Sequence, residues 1–184
     1  MSSILKVGEI QDPTNGNTAL TIDSAGNIKN SGAVVQVQQT TTTTLSAVSA
    51  ASFASVGLDV NITPKFADSK ILITVCGCFG HSQDTYGGAR LFRDSTAIGG
   101  GSDAGSRPGY SFAINERSAD APFEAYMASY TFLDSPATTS QITYSLKLIK
   151  FYGTAITCNK SYNDNDASYG WRTMSTITVQ EIAQ

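Results

Sequence analysis

From residue 58 onwards, apolar residues recur at every second position in short runs, and each run is cut off by Gly, Pro, Asn or Ser. "LDVNITP" puts Leu58, Val60 and Ile62 on one side. "ITYSLKLIKF" sets Ile142, Tyr144, Leu146 and Leu148 against Thr143, Ser145, Lys147 and Ile149, and "STITVQEI" closes the chain in the same manner. A period of two, ended by turn residues, is the pattern of half-buried strands. "SKILITVCGCFGH" is apolar on both faces at its start, as a central strand of a sandwich would be. "AVVQVQQTTTTT" predicts a further strand over 33–43, because the branched Cβ of threonine fits the pleat. A mucin-like stalk would need proline and a secretory route instead. "GARLFRD", "YSFAINERS", "FEAYMASYTFLD" and "TAITCNK" bring the expected total to eight to ten strands. Only "LSAVSAASFASV" has helical composition, and its serines suit an irregular strand and turn equally well. The fold class expected is all-β: an antiparallel β-sandwich, jelly-roll-like.

The opening segment reads differently. "NTALTIDSAGNIKN", residues 17–30, predicts two short strands around a turn at Ser24-Ala25-Gly26-Asn27. Upstream, "DPTNGN" is turn chemistry, with Pro13 fixing φ and Asn15-Gly16 favouring positive φ. Ile4, Leu5, Val7 and Ile10 are the only other apolar residues of weight, and a hairpin of this size is marginal in isolation. "NSG" at 30–32 has the composition of a joint. The chain is therefore divided into an attachment and trimerisation segment, 1–32, and a β-sandwich domain, 33–184. A segment that cannot bury itself has to pack against copies of itself or a larger particle.

Charge narrows the partners. Only 15% of residues are charged, against a usual ~25%, and the 12 Lys plus Arg form no basic cluster within a net charge of −3. Nucleic acid is not an expected partner. No run of 18 apolar residues offers a membrane span, and "MSSILKVGEI" lacks the apolar core of a signal peptide, so assembly in a cytosol is the expectation. The three cysteines are expected as buried free thiols. Cys76 and Cys78 stand two apart on one face of a strand, which is poor geometry for a bridge.

The search for chemistry yields little. One histidine, His81, and two nearby cysteines do not make a zinc site, and His81 follows "CFG" without the turn a nucleophile needs; a surface position at a strand end is expected for it. "IGGGSDAG" lacks the Lys-Ser/Thr end of a phosphate loop. In "NDNDASYG", Asp164, Asp166 and Ser168 have the spacing of the first calcium ligands, but the turn glycine and distal Glu are missing, which favours a solvated Asx-rich loop. No enzyme activity, catalytic residue, cofactor or metal is expected.

Two loops exceed ordinary turn length. "GGGSDAGSRPG", 99–109, is expected to be flexible. "SYNDNDASYGWR", 161–172, offers Tyr162, Tyr169, Trp171 and Arg172, residue types that dominate binding surfaces. Packing at the sandwich end is the competing reading of Trp171 and Tyr169.

Together, "SILKVGEIQDPTNGNTALTIDSAGN", "SKILITVCG", "LFRDSTAIGGG", "SYTFLDSPATTSQITYSLKL" and "STITVQEI" resemble the tail-fibre-like virion proteins of marine bacteriophages that infect cyanobacteria and similar bacteria. The resemblance covers nearly the whole chain and carries no catalytic motif. It implies a homotrimer on the virion, assembled in the host cytoplasm, with an N-terminal piece held by other virion proteins. The distal sandwich would meet a host surface glycan or protein. No long shaft follows residue 32, so a short tip, an adaptor, and a capsid decoration or head-fibre protein are alternatives. A carbohydrate-active surface enzyme is the alternative from another class.

Overall fold

The computed structural model of the protein describes residues 6–116, 123–124 and 126–184; Ile4, Leu5 and Ala125 lie outside them. Three short strands come first: β1 (Glu9–Gln11), β2 (Thr18–Ile22) and β3 (Ile28–Lys29). They make an antiparallel sheet of their own, in the order β1-β2-β3, where the sequence predicts a two-stranded hairpin. The extra strand forms because Ile10 pairs opposite Leu20, and the Ile22 amide reaches back to the Gly8 carbonyl at 2.8 Å. The predicted β2–β3 turn is present. Asp23 caps it by accepting from the amides of Ala25 (2.9 Å) and Asn27 (2.8 Å), and Gly26 takes the positive φ of 81°.

Eleven further strands build two facing sheets. They are β4 (Val34–Thr42), β5 (Ser46–Val48), β6 (Ala54–Ile62), β7 (Lys70–His81), β8 (Thr85–Arg93), β9 (Thr96–Ile98), β10 (Phe112–Glu116), β11 (Tyr126–Asp134), β12 (Ile142–Tyr152), β13 (Ile156–Cys158) and β14 (Ser175–Ile182). One sheet runs β4-β14-β7-β11, with β13 and β5 beyond the end of β14; the other runs β6-β12-β8-β10, with β9 on β8. Counting the eight long strands along the chain, the two orders are 1-8-3-6 and 2-7-4-5, all antiparallel. That interleaving is a jelly roll, as the alternating pattern predicts. No α-helix occurs among the described residues, and 45–56 forms β5 and the start of β6. Pairing of Ser46 and Val48 with Cys158 and Ile156 overrides the local helical composition there.

The core lies between the sheets. Leu58, Ile71, Ile73, Val75, Tyr144, Leu146, Leu148 and Ile177 are fully buried within it. His81 is a correction to the expected surface position: it is 2% exposed, because the odd positions of β7 face the core to the end of the strand and Ile156 stands opposite it. The even positions face out. Cys76 and Cys78 share that outer face as expected, but only Cys78 is covered, while Cys76 is exposed. Burial pushes the Cys158 thiol up to about 11.

The outer face of the first sheet is a regular grid. In register across β4, β14, β7 and β11, one row is Val37, Gln180, Leu72 and Leu133. The next is Gln39, Thr178, Thr74 and Thr131, and the third is Thr41, Thr176, Cys76 and Ser129. Gln39 donates to the Thr178 hydroxyl at 2.7 Å within the middle row.

Two polar clusters close the end nearest the N-terminal sheet. Tyr144 Oη donates to Asp134 Oδ2 at 2.7 Å, and Arg93 Nη1 reaches the same oxygen at 2.8 Å, so one carboxylate stitches the two sheets together. Burial and the Asp134 carboxylate push the Tyr144 phenol well above its usual range. Beside them, the fully buried Glu181 accepts from the amides of Lys65 (2.8 Å) and Phe66 (3.1 Å) and from the Gln36 side chain, fixing the β6–β7 loop. The N-terminal sheet rests on that loop, with Lys29 paired to Asp68 at 2.5 Å and over the Phe66 ring. Gly32 and Ala33 are bonded to Ala183.

Removing the acceptor should cost more than removing the donor. We expect Tyr144→Phe to lower stability by about 1 kcal/mol, and Asp134→Ala by roughly 2–4 kcal/mol, because it strands a buried hydroxyl and a guanidinium. Urea unfolding of both variants checks this; equal losses would show that Asp134 does not join the sheets.

Candidate functional site

At the opposite end of β14, the floor under the 161–172 loop is made by Asn159. It is fully buried with φ of 64°, and its Nδ2 donates to the carbonyls of Thr42 (3.0 Å) and Thr44 (3.1 Å). Its Oδ1 accepts from Ser175 Oγ at 2.6 Å, and its backbone amide donates to the Cys78 carbonyl at 3.0 Å. One side chain thus ties the end of β4, the start of β14 and β7 into a rigid base.

The loop closes on itself above that base. Lys160 and Arg172 form a β-bridge at its neck, and the Ser161 amide reaches the Trp171 carbonyl at 3.4 Å. Inside, Asp164 sits at φ of 46° with Oδ1 held by Arg172 Nε (2.9 Å) and Nη2 (2.7 Å) and Oδ2 facing Lys160 Nζ at 3.4 Å. Partial desolvation raises the Asp164 carboxyl, but the Arg172 hydrogen bond and the charges of Lys160 and Arg172 outweigh it and hold it below the usual range. Both oxygens are engaged by cations, so the calcium-like spacing loses its first ligand. Among the described residues, no three His, Cys, Asp or Glu side chains group in a way that could hold a metal. Gly170 is required because a Cβ there would fall 2.4 Å from the Asn165 carbonyl oxygen.

The predicted residues divide into three roles. Tyr169 is 58% exposed and stands edge-on to Phe123, with ring centroids 5.1 Å apart. Trp171 is half-buried, and its Nε1 donates to the Phe123 carbonyl at 3.1 Å. Arg172 is exposed but committed to Asp164, which makes it a brace of the loop. Tyr162 is half-buried at the neck, its amide against Gly80, and has no ring contact among the described residues. Sequence reasoning missed Phe123 and the clamp role of Asp164. Phe123 lies 48 residues from Trp171, and no periodicity links them.

A hollow of about 280 Å³ opens beside this cluster, lined by Asp164, Asn165, Asp166, Gly170, Trp171 and Arg172. Carboxamide, carboxylate and indole together can bond hydroxyls and cover an apolar ring face. The other long loop is not free. Arg90 Nη1 donates to the Gly109 carbonyl (2.6 Å) and to Asp103 (3.2 Å), and Asp103 accepts the Gly109 amide at 2.6 Å, so 99–109 is tied down where flexibility is expected from its glycines.

No protein-family model matches the sequence, and no curated protein matches it either. Among solved structures, the chain is similar to infectious bursal disease virus, Gx strain, at 12% identity and a TM-score of 0.40, over 98% of this chain and 42% of that one. It is similar to the VP2 subviral particle of the same virus at 11% identity and 0.42, over 98% and 43%. The chain spans less than half the length of either.

The ion pair gives the loop a pH dependence. A carboxyl held low in the folded state contributes stability that is complete above its ordinary value of ~3.9 and is lost as pH falls through the lower folded value. Trp171 is the only tryptophan and reports on the loop directly. Its emission is expected to stay constant from neutral pH down to about 4 and to shift red below that. Asp164→Asn is expected to show the shifted emission at neutral pH; an unchanged maximum would show that the loop holds without the clamp.

Proposed function

We propose that the chain is a virion structural protein, tail-fibre-like and homotrimeric, and not an enzyme. Residues 1–32 mount it on other virion proteins, and the 161–172 end of the sandwich contacts a host surface glycan or protein. The observation that carries this reading is polarity: the N-terminal sheet rests against one end of β14, and the aromatic loop springs from the other. Eight residues of strand separate them, a span of about 27 Å at ~3.4 Å per residue. Jelly rolls serve in capsids and lectins, which supports the reading by analogy of fold alone. The ring pair, the indole and the polar hollow supply the contact chemistry, with Tyr169 and Trp171 as its centre.

Adsorption of particles to host cells tests the contact end. Tyr169→Ala and Trp171→Ala are expected to slow adsorption by about tenfold or more, the ~1.4 kcal/mol or greater loss of a binding hot spot, with little change in melting temperature. A large fall in melting temperature with normal adsorption would make Trp171 a packing residue and remove the contact role. Deleting residues 1–30 is expected to leave one cooperative melt and to abolish incorporation into particles.

A further inference from the structure

The two outer faces of the jelly roll differ in a way that the fold does not require. On the β6-β12-β8 sheet, Asp59, Arg90 and Lys147 stand at outward positions. On the β4-β14-β7-β11 sheet, the three rows of the grid contain no charge at any of their positions. Lys70, in the next row at the rim, is the first charge met along β7. A sheet face kept in water normally intersperses charges of both signs.

The face also ends at an edge strand. β4, "VVQVQQTTT", is nine residues long without a charge or proline, and exposed Val34 and Val37 line its outer side. Long edges of this kind are ordinarily blunted by lysine, proline or a bulge; here Lys65 Nζ on the Val35 carbonyl (3.4 Å) and a register shift beside Val34 do so only at the start of the strand. In the third row, Cys76 is a free exposed thiol, a group that soluble surfaces avoid.

We propose that this uncharged grid packs against the same face of neighbouring copies of the chain. An uncharged face is complementary to itself, since no charge has to meet an opposite one, whereas a charged partner would leave its own ions facing threonine methyls. Size agrees. Four strands at ~4.8 Å and three rows at ~6.8 Å cover about 19 by 20 Å. Corrugation and the exposed Val34 and Met127 at its margins bring the accessible surface to the order of the ~800 Å² per partner that a standard interface buries. Around a three-fold axis each grid would face the grids of both neighbouring copies, with threonine and valine rows turned towards the axis.

The inference rests on the self-association included in the proposed function, and the test separates the two. Full-length protein and the variants Thr74→Glu and Thr178→Glu are compared by light scattering at micromolar concentration and by the rate at which a thiol reagent labels Cys76. Asn61→Glu, on the outer face of the other sheet, is the control, and a cooperative melt verifies folding of each. The wild type and Asn61→Glu are expected to be oligomers with Cys76 labelled slower by an order of magnitude or more than in the face variants. The face variants are expected at the 19.4 kDa of a single chain. Oligomers that survive both glutamates with Cys76 open would overturn this face and leave self-association standing. A wild-type protein of single-chain mass with rapid labelling of Cys76 would overturn both.

Discussion

Every inward side chain of the larger sheet takes its direction from β7. Over twelve residues it keeps a single parity, with odd positions in the core and even positions outside, and its long edges are occupied by β14 and β13 on one side and β11 on the other. A slip of one residue would bring Thr74 and Cys76 into the core and turn Ile71, Ile73, Val75 and Phe79 out. Four aliphatic or aromatic residues fix the register of three neighbouring strands in this way. Buried His81 and exposed Cys76 follow from the same parity rule.

The two ends of the sandwich are held by different chemistry. At the N-terminal end, carboxylates do the joining: Asp134 links the sheets through Oδ2, and Glu181 secures the β6–β7 loop with both of its oxygens engaged. At the loop end a neutral carboxamide, Asn159, does the equivalent work. Buried polar groups stabilise a fold only when they are satisfied, and each of these three is. Charge at the loop end is confined to the surface, where Lys160, Asp164 and Arg172 shape the loop and leave the core apolar.

Much of the architecture was legible in the sequence because long strands advertise themselves. β4, β6, β7, β12 and β14 each repeat the period of two often enough to be read, and their number and spacing imply a sandwich. Of the three-residue strands, β13 falls within the expected "TAITCNK" run, whereas β5 and β9 carry no readable period and exist because a neighbour offers a free edge. The site was legible only as composition. Tyr169 and Trp171 stood out as residue types, but their contact with Phe123 and the capture of Arg172 by Asp164 depend on chain reversals that no local pattern encodes. The glycine-rich 99–109 loop misled for the same reason, since Arg90, which ties it down, belongs to another element.

The neck of the 161–172 loop has an evolutionary consequence. Lys160 and Arg172 are bridged to each other, so the residues between them leave and re-enter the sandwich at nearly one point. Asn159 and Ser175, which hold the floor, lie outside that interval. Apart from the contacts of Trp171 and Tyr169 with Phe123, the segment is anchored at this one neck, so it can be exchanged as a cassette, by recombination or by drift, with little disturbance of the sheets beneath it. The loop and the sheets can then change at separate rates within one chain.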